Sequence, residues 1–109
     1  MYMVSGKAVK AFNSALKRSK TVVDHHQKVI NGMNSLIEKQ LIRIEGNVML
    51  IYPEIWGDTE AKHLAFIRNG YRYFRLKLHF AEGTTVYIKD IETGQFLGVM
   101  KDSVPSIIK

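Results

Sequence analysis

The period of apolar residues changes at Gln40, and that change limits the folds open to this chain. Upstream, Val22, His26, Val29, Ile30, Met33, Leu36 and Ile37 recur every three or four residues, the signature of an amphipathic helix. Downstream, Leu41–Ile44 and Val48–Tyr52 are short runs rich in β-branched residues around Glu45-Gly46-Asn47, a turn sequence suited to a tight hairpin. A helical N-terminal part and a strand-rich remainder are therefore expected, an α+β chain.

Before the Val22 stripe, Ala8, Ala11, Phe12, Ala15 and Leu16 predict a first helix from Gly6 to Arg18 with Ser5 as its N-cap. The second helix runs to about Gln40 with Gly32 inside it. A kink, a close helix contact and a boundary between two helices all fit that glycine. Pro53 closes the hairpin. Asp58 or Thr59 can cap a short helix over 58–68, which Asn69-Gly70 would end. Three strands are then expected: Tyr71–Phe80, Thr84–Ile91 and Gln95–Met100. Gly83 and Gly94 sit in the intervening loops, where positive φ is needed. The expected architecture is one domain, 1–109. Two N-terminal helices (1–40) precede a mostly antiparallel five-stranded sheet or small barrel (41–109) with a helical insert at 58–68.

At 109 residues the chain can bury a core without cross-links, and it has no cysteine for a disulfide, a thiolate nucleophile or a thiolate metal site. No apolar run reaches the roughly 18 residues of a membrane span. A cytoplasmic location is the expectation, with no membrane partner. The net charge of +6 is uneven: residues 1–40 hold seven Lys or Arg against two Asp or Glu, and residues 41–109 hold nine against eight. A basic segment attracts phosphate backbones, and Lys17, Arg18, Lys20, Lys28 and Asn31 are its candidate contacts; a merely solvated helix face has the same composition.

The segment Tyr71–Phe80 alternates most clearly. As a strand it would turn Phe74, Leu76, Leu78 and Phe80 to the core and Tyr71, Tyr73, Arg75, Lys77 and His79 outward, to be joined by Tyr87 and Lys89 from the next strand. Rings interleaved with cations suit nucleic acid, because cations neutralise phosphates and rings stack on bases. An ordinary wet sheet face, or a face covered by the short helix, accounts for the same pattern. His25 and His26 point about 100° apart on a helix and cannot share a metal, and no phosphate loop or catalytic motif occurs. No cofactor or metal is expected. Acid–base chemistry on RNA by His79 with Arg75 and Tyr87 is the enzymatic alternative. Trp56 is expected to anchor the insert to the core.

Two stretches resemble known families. Residues 28–53, from Lys28 through Asn31, Asn34 and Ser35 to the hairpin and Pro53, resemble the recognition helix and wing of winged-helix plasmid replication initiators and phage regulators. That resemblance implies contacts to DNA by those four side chains. Thr84–Gly98 resembles the last hairpin of the small β-barrel of Mu-type transposases, a basic accessory domain that contacts nucleic acid. Together they imply a non-enzymatic nucleic-acid-binding protein, DNA before RNA, accessory or regulatory in a phage or mobile element. A protein–protein module, such as a phage-encoded inhibitor of a host factor, and a small RNA-cleaving toxin are the alternatives. The sequence leaves the oligomeric state open.

Overall fold

A computed structural model describes residues 24–109. The expected first helix, the start of the second, and Lys17, Arg18 and Lys20 lie outside the described residues. Helix α1 occupies 24–38 and runs unbroken through Gly32, where an added Cβ would meet open space. Gly32 is thus neither a boundary nor a close contact. The helix ends as a Schellman motif: Leu41 N–H donates to the Leu36 carbonyl and Gln40 N–H to that of Ile37, each at 2.9 Å, with Gln40 at φ 63°.

Strands β1 (Ile42–Glu45) and β2 (Val48–Ile51) form the expected hairpin around Gly46 and Asn47, with Glu45 opposite Val48. A 3-10 turn, Pro53–Ile55, follows. Helix α2 spans Glu60–Leu76, started by Thr59, whose hydroxyl accepts from Lys62 N–H. Then come β3 (Val86–Asp90), β4 (Phe96–Lys101) and β5 (Val104–Ile107), in one sheet ordered β1-β2-β3-β4-β5. β2 and β3 are parallel, as a helical crossover requires, and the other neighbours are antiparallel. The sheet is mixed and open, not a closed barrel.

Residues 71–80 depart most from the expected elements. Of the expected strand Tyr71–Phe80, residues 71–76 are the end of α2 and 77–80 are its C-cap and the following loop, so the expected helix 58–68 is eight residues too short at its C-terminal end. Burial decides it. Ile67, Gly70, Tyr73 and Phe74 follow a helical spacing and form the buried face of α2, while Leu76, expected in the core, is 42% exposed. Gly70 does not break the helix; it lets the helix approach the sheet. An added Cβ there would sit 3.4 Å from both Ile88 Cδ1 and Met49 Sδ. Tertiary packing outweighs the strand-like alternation and the Asn-Gly turn signal.

The fifth strand is therefore β5, entered through Asp102 (φ 51°) and Ser103 (φ 62°), a two-residue turn with both centres left-handed but without glycine. Both helices contribute to the core on one side of the sheet, α1 through Met33 and α2 through Ile67 and Phe74 against Met49, Ile51 and Ile88. Trp56 is buried in that core and stacks on His63, with ring centroids 4.4 Å apart. Asp90, a buried carboxylate, accepts from Glu92 N–H at 2.8 Å and from Thr93 N–H, which shapes the β3–β4 turn.

Candidate nucleic-acid interface

The strand registers fix what the far side of the sheet presents. Alternation buries Val86, Ile88 and Asp90 of β3 on the helix side, so Tyr87 and Lys89 face away from the helices. Arg43 pairs with Leu50, Leu50 with Lys89, and Lys89 with Phe96, which gives one cross-strand row. The neighbouring row is Glu45, Val48, Tyr87, Val99 and Ser106. A β-bulge at Ile88/Lys89 brings Phe96 rather than Leu97 opposite Lys89. No helix among the described residues covers this face.

Its centre is aromatic and cationic. The Tyr87 and Phe96 rings lie 5.3 Å apart at 59°, and Lys89 Nζ stands 5.1 Å above the Phe96 ring, a cation–π contact. Phe96 is 45% exposed, which is unusual for so large an apolar ring beside charged neighbours. Leu50, within the row between Arg43 and Lys89, is buried. Arg43 and Lys101 add positive charge towards opposite edges. Glu45 is the acid of these rows and is engaged by Arg43 at 3.0 Å. Two neighbouring rings with cations around them offer stacking to flat groups and neutralisation to anions.

Of the site residues expected from sequence, Tyr87 and Lys89 lie on this face. Tyr71, Tyr73, Arg75 and Lys77 do not, because they belong to α2 and its C-cap on the other side of the sheet. Tyr73 is only 4% exposed. Its hydroxyl donates to Asn34 Oδ1 at 2.7 Å, and burial raises its pKa above the usual tyrosine value. The Tyr71 hydroxyl accepts from Gly83 N–H, and Arg75 donates to the Phe80 carbonyl at 2.7 Å, so both hold the loop after α2. Lys77 is exposed. Lys28 and Asn31 are exposed on α1, where Asn31 accepts from Gln27. Arg75 lies in the last turn of α2 and His79 just beyond its end, whereas Tyr87 is on the opposite sheet face, so the three do not assemble. Among the described residues no three His, Asp or Glu side chains gather as a metal site. None of their helices is long and apolar enough to cross a membrane.

Phe96 and Arg43 were missed by sequence reasoning. Each lies in an expected strand, but joining them to Lys89 needs the parallel β2–β3 pairing and the bulge, and no local signal specifies either. Compared with known proteins, the chain matches no family model, no curated protein and no solved structure.

Proposed function

We propose that this chain is a non-enzymatic nucleic-acid-binding protein, accessory or regulatory in a phage or mobile element, with the sheet face opposite α1 and α2 as the contact surface. The pair of Tyr87 and Phe96 rings flanked by Lys89 carries this reading. A sheet face with two neighbouring rings, Phe96 exposed and Tyr87 half-buried, suits unpaired bases better than duplex, whose bases are already stacked. The preference for DNA over RNA and the phage setting rest on the two family resemblances, and such a role belongs in the cytoplasm. The basic residues of 1–40, Lys28 among them, add backbone attraction.

Fluorescence anisotropy with labelled single-stranded DNA, duplex DNA and RNA at several salt concentrations tests it. If Arg43, Lys89 and Lys101 neutralise about three phosphates, log affinity for single strands falls against log salt with a slope of about −2. Replacing Phe96 by Ala should cost about 1–3 kcal/mol, the value of one stacked base. Absence of binding to all three ligands removes the reading.

A protein partner is the second reading. The observation in its favour is a cleft of about 630 Å³ between α1 and α2, walled by Val29, Met33, Leu36, Ile55 and Phe66.

A further inference from the structure

The two edges of the sheet differ in a way that the backbone hydrogen bonds define. At one end, Ile108 N–H donates to the Leu97 carbonyl, which fixes the phase of the β4–β5 ladder. Bonded and non-bonded pairs alternate in an antiparallel ladder, so Pro105 and Ile107 direct their backbone groups outward. Pro105 has no N–H, and this edge is blunted. At the other end, Tyr52 N–H donates to the Leu41 carbonyl, so Arg43 and Glu45 bond inward to β2. Ile42 and Ile44 then direct N–H and C=O groups to the free edge, where no strand pairs among the described residues.

We propose that the β1 edge pairs antiparallel with β1 of a second copy about a two-fold axis at Ile44, extending the sheet across two chains. The charges select the register. With Ile44 opposite Ile44, Arg43 of each copy lies directly opposite Glu45 of the other, twice by symmetry. The register with Ile42 opposite Ile44 sets Arg43 against Arg43, and the one with Ile42 opposite Ile42 leaves Arg43 facing Leu41. The Arg43 and Glu45 side chains are 61% and 58% exposed, and their bond within the strand at 3.0 Å leaves donors and lone pairs for a second partner. Ile44, half-buried beside a cleft of about 560 Å³ lined by Ile37, Ile42, Tyr52 and Tyr73, gains an apolar neighbour.

This inference is independent of nucleic acid, and the mass of the particle tests it. Sedimentation of the full chain from micromolar to submillimolar concentration should show a reversible monomer–dimer equilibrium. Arg43→Glu, which sets like charges opposite each other at both contacts, should raise the dimer dissociation constant by about tenfold or more. The double exchange Arg43→Glu with Glu45→Arg should restore it to near the original value. Both positions are exposed, and unchanged circular dichroism verifies the fold of each variant. A wild-type chain that stays monomeric throughout, a dimer indifferent to Arg43→Glu, or a double exchange that restores nothing would overturn the proposal.

Discussion

Gly98 offers the sharpest test of how α2 sits on the sheet. It lies on the inner face of β4, opposite Ile88 on one side and Ile107 on the other. A Cβ added there would stand 2.6 Å from Ile67 Cδ1, 2.9 Å from Ile67 Cγ1 and 3.1 Å from Trp56 Cη2. Neither neighbour is free to give way, since Ile67 is 1% exposed and Trp56 is 9% exposed. Gly98→Ala must therefore force Ile67 off its rotamer or lift α2, at about 1–3 kcal/mol for an overpacked core. For a domain of this size that lowers Tm by roughly 4–15 °C, measured by circular dichroism at matched concentration. Ile67→Val deletes the nearest methyl at about 0.5–1.5 kcal/mol on its own. Combined with Gly98→Ala it should cost less than the sum of the two single changes, because the sites are in contact. An unchanged or raised Tm for Gly98→Ala would refute the seating of α2 over β4, and with it the helical placement of 60–76.

Two further outcomes follow from the helices. Tyr73→Phe removes the bond to Asn34 and should cost about 0.5–1.5 kcal/mol near neutral pH. Because burial raises the native Tyr73 pKa, its contribution is fully present below the unfolded value near 10 and is lost as pH rises through the native one. The stability gap between wild type and Tyr73→Phe, read from urea melts, should thus narrow above pH 10. Gly32→Ala, at an exposed mid-helix site open on all sides, should raise stability by about 0.5–1 kcal/mol in the same melts.

What could be read from the sequence was what neighbouring residues decide. The β1–β2 hairpin follows from Gly46 at positive φ between two apolar runs, and the start of α2 follows from Thr59 as N-cap. The extent of α2 did not, because Asn69-Gly70 has the chemistry of a turn and Phe74 to Phe80 alternates as a strand would. The seating of Gly70 against Met49 and Ile88, so close that an added Cβ would touch both, overrides both signals from residues distant in sequence. β5 escaped notice because its turn, Asp102-Ser103, adopts left-handed geometry without glycine, and Pro105 argues locally against a strand. For the interface, alternation on β3 was enough to place Tyr87 and Lys89 together. Adding Phe96 and Arg43 took the order of the strands, which is a property of the whole sheet.

Amide chemical-shift mapping with a single-stranded DNA oligonucleotide decides which side of the sheet meets nucleic acid. Saturable shifts are expected at Arg43, Tyr87, Lys89 and Phe96, with the Ile67 and Tyr73 amides of α2 unmoved. Shifts confined to α1 and α2, or none at any oligonucleotide concentration, would contradict the proposed interface.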